Sequence, residues 1–515
     1  MPPDAVNLSS GSTVLLKTEH LTKRFPQVVA NDDISFEIKK GEIHCLLGEN
    51  GAGKTTLAEI LYGAYKPDAG SIYFKGQPIS LTSPKEAIEL GIGMVHQHFV
   101  LIPPLSAIEN IIIGTKSTGI WLDLSQATRQ LEALCANYGI ELDLTAEVAQ
   151  LAVGEQQWVE ILKALYGGVE LLILDEPTAV LTPQESEKLF AILRQMKDDG
   201  LSIIFITHKL KEVMAVSDRV TVLRKGKWIN TVDTASVTKE ELAKMMVGRE
   251  VVFQFDQETV EAGEVLLEVK ELYAQNDKGR PALQGISFQL RHREILGIAG
   301  VSGNGQRELF DVLVGVRSAA AGQIIFDGED LTHRSSGYIA NRGIGSVPED
   351  RIQQGLVMDF RVDENLILGL HRSQQFSKWS FLNQAQIEAF AQKMIDNYDI
   401  ATPSMRQTTR LLSGGNLQKV ILARELSQQP KCLIVSQPTR GLDVGAAEYV
   451  RRRLLEQRDW GAGVLLISED LDEIFNLATR IVVIFKGEIV GTLTAATATL
   501  EEVGLLMAGI HKGTP

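Results

Sequence analysis

The stretch Gly48-Glu49-Asn50-Gly51-Ala52-Gly53-Lys54-Thr55-Thr56 decides the fold class of this chain. It fits the pattern G-x-x-x-x-G-K-[ST] and follows the apolar run Ile43–Leu47, which has the length of a buried strand. Its glycines let consecutive backbone N–H groups point at one anion without a Cβ atom in the way. A helix that starts near Lys54 would turn its N-terminus toward the same anion. The stretch therefore predicts a phosphate-binding loop, with Lys54 at the β- and γ-phosphate oxygens and Thr55 on Mg²⁺.

The back half of the chain repeats this arrangement with different chemistry. Gly300-Val-Ser-Gly-Asn-Gly-Gln306-Arg307 keeps the glycines of the first loop, but Gln306 and Arg307 replace its lysine and threonine. Gln306 supplies no positive charge, and Arg307 places a cation where the first loop has a hydroxyl for Mg²⁺. The second loop therefore predicts a phosphate site that is impaired.

The spacing of polar residues supports the repeat. The separation is 43 positions from the lysine of the first loop to Gln97, and 43 from Gln306 to Glu349. Separations of 21 and 33 positions also recur, in the paired intervals Gly154–Asp175 and Gly415–Ser436, and Asp175–His208 and Ser436–Glu469. The offset between the copies grows from 252 to 261, which predicts an insertion of nine residues near Leu370–Asn383. So long a period indicates two domains and not a solenoid.

Each half predicts an α/β domain with a mixed sheet. Alternating apolar residues at Ile34–Ile38 and Ile286–Leu290 indicate antiparallel strands. Continuous apolar runs are typical of parallel strands covered on both faces; they are Ile43–Leu47, Leu171–Leu174, Ile203–Ile206, Ile295–Ile298, Leu433–Val435 and Val464–Ile467. A helical insert in each half includes Glu132–Tyr138 and Ile387–Tyr398. We predict a disordered N-terminus at 1–13, a first domain at 14–249, a linker at 250–264 and a second domain at 265–512.

Composition limits the class of protein. The 515 residues suffice for two domains with separate cores, and 44% hydrophobic content is ordinary for a globular protein. Apolar runs reach only strand length, and the polar opening of the chain differs from a signal peptide. The 3 cysteines are scattered, which predicts buried reduced thiols and not a disulfide framework or a metal site. The net charge of −14 argues against a nucleic-acid partner.

Acidic residues at a strand end predict the chemistry of the first copy. Asp175 ends the run Leu171–Leu174, and Glu176 follows it. Because ligands bind at the carboxyl ends of strands in open α/β sheets, we predict that Asp175 binds Mg²⁺ and Glu176 orients a water molecule. A helix cap or a turn is the structural alternative for Asp175.

Three further residues complete the predicted site. Gln97 and His208 would each be ordinary surface residues taken alone, but their offsets recur in both copies. We predict that Gln97 contacts Mg²⁺ and the attacking water and that His208 hydrogen-bonds the γ-phosphate. With Lys54 and Glu176 they form the predicted catalytic set. Phe25 is predicted to stack on adenine, with packing in the core as the alternative.

Together with the stretch Leu411-Leu412-Ser413-Gly414-Gly415-Asn416 as a signature sequence, these motifs resemble the ATP-binding cassettes of ABC transporters over nearly the whole chain. The resemblance implies two tandem P-loop NTPase cassettes. Each would have a RecA-like mixed-sheet core, an antiparallel β subdomain and a helical subdomain. It also implies ATP hydrolysis with ATP and Mg²⁺ as cofactors. Cassettes of this family pair head to tail, so Ser413-Gly414-Gly415-Asn416 would complete the nucleotide site of the first loop.

Other motifs look like those of the tandem-cassette subunits of bacterial nucleoside and simple-sugar importers; they are His96–Phe99 with Pro103–Leu105, Ala179–Pro183, Val347–Arg351 and Ser436–Asp443. The nucleoside branch, which uses a basic-membrane-protein-type lipoprotein, fits best. This resemblance implies two transmembrane permease subunits and, indirectly, an extracytoplasmic substrate-binding lipoprotein, with no nucleic acid as partner. It implies a peripheral position on the cytoplasmic face of the bacterial cell membrane.

The weak halves of both copies fall in one predicted composite site. Leu151-Ala152-Val153-Gly154-Glu155 would face the second loop, without the serine hydroxyl and with an added carboxylate. Ser436 and Gln437 replace the two acidic residues of the first copy. The family usually has serine at Ala152 and arginine at Trp158. We expect weak or Mg²⁺-independent nucleotide binding there, without appreciable hydrolysis.

Two other functions remain as alternatives. A soluble tandem cassette acting on ribosomes or nucleic acid would also have two lobes, but such proteins usually keep both sites intact and have a long charged linker. A scaffold that senses nucleotide without turnover is the other, and the presence of Glu176 and His208 counts against it.

Overall fold

A fully buried strand, Ile43–Leu47, leads into the phosphate loop, and the helix Lys54–Leu61 begins where the loop ends. This computed structural model describes residues 14–26, 28–97, 99–113, 124–252, 261–378 and 381–510. The predicted disordered N-terminus lies outside the described residues, as do His98, the middle of the predicted linker and positions 511–512. The chain forms two compact units that meet in sequence between Val251 and Val252, and they are called unit 1 and unit 2.

Unit 1 alternates strands and helices after an initial hairpin. Its strands are β1 (Val14–Phe25), β2 (Val28–Lys39), β3 (Ile43–Leu47), β4 (Ala69–Phe74), β5 (Gln77–Ile79), β6 (Ile92–Val95), β7 (Leu171–Asp175), β8 (Ser202–Thr207), β9 (Arg219–Arg224) and β10 (Lys227–Asp233). Its α-helices are α1 (Lys54–Leu61), α2 (Pro84–Leu90), α3 (Ala107–Ile112), α4 (Leu124–Tyr138), α5 (Val153–Tyr166), α6 (Pro183–Asp198), α7 (Leu210–Val216) and α8 (Lys239–Val247). Short 3₁₀ turns cover Val148–Gln150 and Thr234–Ser236.

Two sheets build unit 1. An antiparallel sheet has the order β2-β1-β4-β5. The other has the order β10-β9-β3-β8-β7-β6 and is parallel except for β10. Because β3, β7 and β8 lie inside this sheet, the phosphate loop, Asp175 and the segment before His208 meet at its carboxyl edge.

Unit 2 repeats the order of elements. Its strands are β11 (Val265–Gln275), β12 (Pro281–Arg291), β13 (Ile295–Ala299), β14 (Ala321–Phe326), β15 (Glu329–Asp330), β16 (Ile344–Val347), β17 (Ser377–Lys378), β18 (Phe381–Leu382), β19 (Cys432–Ser436), β20 (Gly463–Ser468), β21 (Arg480–Phe485) and β22 (Glu488–Thr494). Its α-helices are α9 (Gln306–Leu313), α10 (Ser336–Asn341), α11 (Val362–Leu366), α12 (Gln384–Asn397), α13 (Gly414–Leu426), α14 (Val444–Asp459), α15 (Leu471–Leu477) and α16 (Leu500–Met507). A π-helical turn covers Arg351–Gly355 and a 3₁₀ turn Thr409–Leu411.

The sheets of unit 2 follow the same plan. One is antiparallel, in the order β12-β11-β14-β15, and the other has the order β16-β19-β20-β13-β21-β22 with only β22 antiparallel. Strands β17 and β18 form a small hairpin inside the segment where the changed offset predicts an insertion. The corresponding part of unit 1 lies outside the described residues.

The predicted strands agree closely with the observed ones. The run Ile43–Leu47 is β3, and the alternating segments fall within β2 and β12. All residues of β3, β7, β13 and β19 are buried, as continuous apolar runs require in a sheet covered on both faces. The helical insert of unit 2 ends at Asn397, one residue before its predicted end. All three cysteines are free and buried.

Local signals fix where the helices begin. Helix α6 opens with a capping box, in which Thr182 and Glu185 satisfy each other's backbone N–H groups. Helix α14 begins after Asp443, whose side chain accepts a hydrogen bond from the N–H of Ala446 at 2.8 Å. Among the described helices, none combines the length and apolar character that crossing a bilayer requires.

Phe205 is a suitable site for testing how tightly the core of unit 1 is packed. Its side chain is fully buried in β8, and its ring centre lies 5.9 Å from that of Phe190. Replacing Phe205 with alanine should lower the free energy of unfolding by about 3–5 kcal/mol, since it leaves a cavity that close-packed neighbours fill only in part. Denaturant unfolding followed by circular dichroism measures the change. Ile88→Ala, at a side chain that is 40% exposed, is the matched control and should cost about 1 kcal/mol or less. Equal losses in the two variants would contradict this packing.

Candidate functional site

The phosphate loop of unit 1 is held open by glycine where other side chains would collide. Gly53 has a φ of 96°, and a Cβ atom there would lie 2.2 Å from the carbonyl oxygen of Ala30. At Gly48 a Cβ atom would lie 2.4 Å from the carbonyl oxygen of Leu223. The backbone of neighbouring strands therefore touches the loop, while its tip at Asn50 and Gly51 is exposed. An anion can therefore approach the loop at its exposed tip, where glycine leaves the backbone N–H groups accessible.

Lys54 buries its ammonium group in this loop. Its Nζ donates to the carbonyl oxygen of Gly48 at 2.7 Å and to that of Glu49 at 3.0 Å. The side chain is buried, whereas the next residue, Thr55, is exposed at the start of α1, with Thr56 after it. Lys54 thus places a positive charge at the centre of the loop. Ala52 of the same loop is also buried, in the hydrophobic core of unit 1.

Asp175 has the properties of a cation ligand. It ends β7 almost fully buried, and among the described residues its Oδ1 atom has no hydrogen-bond partner. Burial raises the pKa of Asp175, while a hydrogen bond with the Thr55 hydroxyl and the charge of Lys54 act in the opposite direction. A buried carboxylate oxygen without a partner, beside a hydroxyl group, fits the oxygen ligands that Mg²⁺ prefers. Two of the three predicted Mg²⁺ ligands, Thr55 and Asp175, therefore lie together.

Glu176 is held by Gln97 and His208. Its φ of 46° is left-handed, which is uncommon for a residue other than glycine, and its N–H donates to the carbonyl oxygen of Ile206 at 3.0 Å. Nδ1 of His208 donates to Oε1 of Glu176 at 2.8 Å, and Nε2 of Gln97 donates to Oε2 at 3.3 Å. The structure thus gathers three residues that the sequence places 79 and 32 positions apart.

The charge state of Glu176 follows from these contacts. Burial raises the pKa of its carboxyl group, but the His208 hydrogen bond and the charges of His208, Lys54 and Lys209 outweigh burial. The net result is a pKa below the ordinary value for glutamate. Glu176 is therefore an ionised carboxylate at neutral pH, able to accept a hydrogen bond from water.

Phe25 lies at the end of β1, and 38% of its surface is exposed. The centre of its ring lies 5.5 Å from that of Tyr65, with the two rings nearly perpendicular, and Nζ of Lys23 lies 5.7 Å from the ring centre of Phe25. An exposed aromatic surface of this kind can accept a flat base. Tyr65 was not predicted, because no motif surrounds it. Its offset of 252 from Arg317, the same as that of Phe25 from Asp277, is the signal that could have identified it.

The predicted signature residues lie in unit 2 at the start of α13. Ser413 is the residue before the helix, and its hydroxyl accepts from Nδ2 of Asn416 at 2.9 Å. Ser413 and Gly414 are exposed, and the amides of the first helical turn point out of the helix end. Oδ1 of Asn416 accepts from the N–H of Ala401 at 2.9 Å, which fixes that side chain. A hydroxyl and free amides at one helix end form a surface suited to phosphate oxygens.

The second loop keeps the backbone conformation of the first but has Gln306 in place of its lysine. Nε2 of Gln306 donates to the carbonyl oxygen of Gly300 at 2.7 Å, which is the contact that Lys54 makes in unit 1. Arg307 pairs with Asp277 at 3.6 Å and with Asp311 at 3.9 Å. Arg317 pairs with Asp277 at 2.6 Å. An ion pair therefore occupies the positions of the Phe25–Tyr65 ring pair.

The strained backbone at the strand end also recurs in unit 2 without the acid. Gln437 has a φ of 47°, close to that of Glu176, but its side chain is an amide whose Oε1 accepts from the N–H of Glu469 at 3.4 Å. Arg440 forms an ion pair with Glu349. Burial raises the pKa of Glu469 even though the charge of Arg440 opposes it. A carboxylate like that of Glu176 is thus absent from this position.

Comparison with known proteins agrees with these geometries. The family model described as ABC transporter matches residues 31–179 and 283–440, once in each unit and over more than half of the chain. The chain belongs to the ABC transporter family. The predicted family, the α/β class with two tandem cassettes and the assignment as an ABC-type ATPase are therefore confirmed.

Three curated relatives match nearly the full length of the chain. The glucose import ATP-binding protein TsgD13 of Haloferax volcanii is 46% identical over 96% of this chain and 96% of the relative. The nucleoside import ATP-binding protein NupA of Lactococcus lactis is 46% identical over 95% and 97%, respectively. The guanosine import ATP-binding protein NupO of Bacillus subtilis is 44% identical over 95% and 96%.

Removing His208 should shift the pH dependence of ATP hydrolysis. Because His208 contributes most to lowering the pKa of Glu176, His208→Ala removes that contribution and raises the pKa. Glu176 is then protonated at a higher pH. The acid limb in a plot of residual kcat against pH therefore moves to higher pH. Steady-state ATPase assays across pH measure this shift. His20→Ala, at an exposed histidine paired with Asp33, is the control and should leave the limb in place. An unmoved limb in His208→Ala would refute the coupling.

Proposed function

We propose that this chain is the ATP-hydrolysing, energy-coupling subunit of an ABC importer that takes up nucleosides through separate permease subunits. The observation that carries the proposal is the ionised Glu176 carboxylate, held by Gln97 and His208 next to the buried Asp175. Unit 2 has an amide, Gln437, at the corresponding position. Two of the three compared relatives are named for nucleoside or guanosine import, which supports the substrate class.

Each residue of the unit 1 site has a proposed role. Lys54 and the loop amides bind the β- and γ-phosphates, and Phe25 with Tyr65 receives the adenine ring. Thr55, Asp175 and Gln97 would hold Mg²⁺, which would neutralise charge on the phosphate oxygens. Glu176 orients the attacking water through a carboxylate oxygen, and His208 hydrogen-bonds the γ-phosphate and keeps Glu176 ionised. Most of the rate in this chemistry comes from positioning and electrostatics.

The signature residues are proposed to close over the γ-phosphate of the nucleotide at the Lys54 loop when the cassettes pair as the family resemblance implies; they are Ser413-Gly414-Gly415-Asn416. The exposed hydroxyl and amides at the start of α13 supply the contacts. The second phosphate loop would then bind nucleotide weakly and without turnover. Its lost lysine, its lost acid and the Asp277–Arg317 ion pair in place of aromatic rings support that assignment.

Contact with two permeases is proposed for the segments that follow Gln97 and Glu349, near Phe99–Leu105 and Arg351–Val357. Both segments expose apolar side chains, with Val100 at 62% and Ile352 at 57% exposure. Exposed apolar groups favour a protein partner over water. This contact would hold the chain peripherally on the cytoplasmic face of the bacterial cell membrane, with a substrate-binding lipoprotein on the opposite side acting indirectly.

A simple sugar is the second candidate for the transported substrate. The 46% identity to a protein named for glucose import equals that to NupA. All three relatives are named for import, which favours an importer over an ATPase that acts on ribosomes or nucleic acid.

Glu176→Gln should reduce ATP hydrolysis by about 10³-fold or more while ATP still binds, because the amide cannot orient water as the carboxylate does. The matched control is Gln437→Ala, at the corresponding residue of unit 2, which should retain most activity. Phosphate release and nucleotide binding are measured on both purified variants. Unchanged turnover in Glu176→Gln would exclude this one-site assignment.

Uptake assays test the importer and its substrate. In cells that lack the gene, the wild-type chain should restore uptake of labelled nucleosides, and Lys54→Ala should not, since it removes the central cation of the loop. Labelled glucose supplied to the same cells tests the second candidate. Lys75→Ala, which breaks an exposed ion pair with Glu170, controls for loss of a surface lysine. Uptake retained by Lys54→Ala would contradict the coupling of hydrolysis to import.

A further inference from the structure

Arg351 bridges two loops of unit 2 that are far apart in sequence. Its Nη1 donates to the carbonyl oxygen of Gly414 at 3.3 Å, and its Nη2 donates to that of Arg440. A Cβ atom added at Gly414 would lie 3.6 Å from Nη1, and one at Gly441 would lie 3.6 Å from Nη2. The guanidinium is thus packed between the signature segment and the loop that follows β19.

The turn that carries Arg351 is itself fixed at both ends. Asp350 caps it, with Oδ1 accepting from the N–H groups of Ile352 and Gln353 at 2.9 Å each. At the other end the carbonyl oxygen of Gly355 accepts from Nη1 of the buried Arg424, on α13, at 2.9 Å. The π-helical turn Arg351–Gly355 is therefore joined to both the beginning and the body of the helix that presents the signature residues. Single π turns often occur at functional sites.

This bridge depends on chemistry that unit 1 does not share. Phe99 occupies the position of Arg351 in the first copy and has no donor in its side chain. In unit 1 the same segment is held differently, through the N–H of Val100, which donates to Oε1 of Glu160 at 2.7 Å. The arginine is thus found in the copy that has the serine and paired glycines of the signature, and not in the copy with Ala152 and Val153.

The charge and the planar shape of the Arg351 guanidinium group suit it to bridging two carbonyl groups. Burial lowers the pKa of Arg351, and the charge of Asp350 opposes that effect, but a guanidinium stays protonated in proteins. A partly buried cation requires acceptors, and its planar fork can serve two carbonyl groups at once. Lysine, with a compact ammonium group, cannot reproduce that geometry. Displacing the turn that carries the guanidinium would therefore displace both loops.

We propose that Arg351 is a positioning residue for ATP hydrolysis. It holds Ser413-Gly414-Gly415 in the geometry that closes on the γ-phosphate, and it ties that geometry to the turn 351–355, which faces the permeases. This inference rests on the proposed function, since it assumes that the signature residues complete the Lys54 site. Movement of the turn by the permeases would then set the rate of hydrolysis without contact between Arg351 and nucleotide.

The experiment uses the full chain assembled with its permeases and compares Arg351→Ala and Arg351→Lys with wild type. Three quantities are measured: kcat for ATP, equilibrium affinity for ADP, and the thermal unfolding midpoint. ADP lacks the γ-phosphate, so its affinity reports nucleotide binding without the proposed contact between the signature residues and that phosphate. Arg342→Ala is the matched control, because it removes an arginine of unit 2 that pairs with Glu329 at the surface.

Arg351→Ala should lower kcat by about tenfold to a hundredfold, as expected for a displaced reacting geometry. Its ADP affinity and unfolding midpoint should match those of wild type and Arg342→Ala. Arg351→Lys should recover only part of the rate. Combining Arg351→Ala with Ser413→Ala should cost little more than the larger single effect, because both act on one loop.

A kcat for Arg351→Ala within about twofold of wild type, or equal losses of kcat, ADP affinity and thermal stability, would overturn the proposal. If Arg351→Ala does not fold, the lysine variant decides by the same split between kcat and ADP affinity. Glu176→Gln separates the two levels of inference. When Glu176→Gln abolishes hydrolysis and the kcat of Arg351→Ala stays within about twofold of wild type, only the role of Arg351 fails. When Glu176→Gln remains active, the proposed function itself fails.

Discussion

The burial of the Lys54 ammonium group in a loop of backbone carbonyls and amides is the constraint on which the rest of the site depends. A buried cation costs free energy unless it is hydrogen-bonded, and the carbonyl groups of Gly48 and Glu49 provide those bonds. The loop can wrap the side chain only because Gly53 adopts a left-handed conformation against the backbone of Ala30. Strand β3 before the loop and helix α1 after it fix the charge at the carboxyl edge of the sheet. Asp175 and Glu176 then reach the same edge from β7.

The two copies separate what the fold requires from what the chemistry requires. Gln306 makes the same hydrogen bond to its loop as Lys54, and Gln437 has the same strained backbone as Glu176. These features belong to the architecture, since they persist where the charge and the acid are gone. Lysine, carboxylate and imidazole are the groups to which we assign catalysis, and they occur together in unit 1. Divergence has therefore changed side chains at a fixed set of backbone positions.

Unit 2 has also gained interactions that unit 1 lacks. Arg317 and Asp277 form an ion pair where unit 1 has two aromatic rings, so a pair of positions has changed together. Arg440 pairs with Glu349 at the place of the Gln97 amide. Charged groups that satisfy one another leave less need for a bound anion or metal, which is consistent with the proposal that this site does not hydrolyse ATP. The same unit retains the exposed serine and glycines at the start of α13.

Much of this protein was determined by its sequence. The strand Ile43–Leu47 and the glycine loop after it indicated the fold class, and the equal spacings of Gln97, Asp175 and His208 indicated the duplication, because each depends on local pattern and chain position. The same patterns led to the proposal of one competent site. Tertiary structure alone decided which side chains meet. Tyr65 beside Phe25, Arg307 beside Asp277 and Arg351 beside Gly414 join residues 30 to 63 positions apart. Such contacts depend on how helices pack against sheets, and no local pattern encodes the distance between two side chains that only the folded sheet brings together.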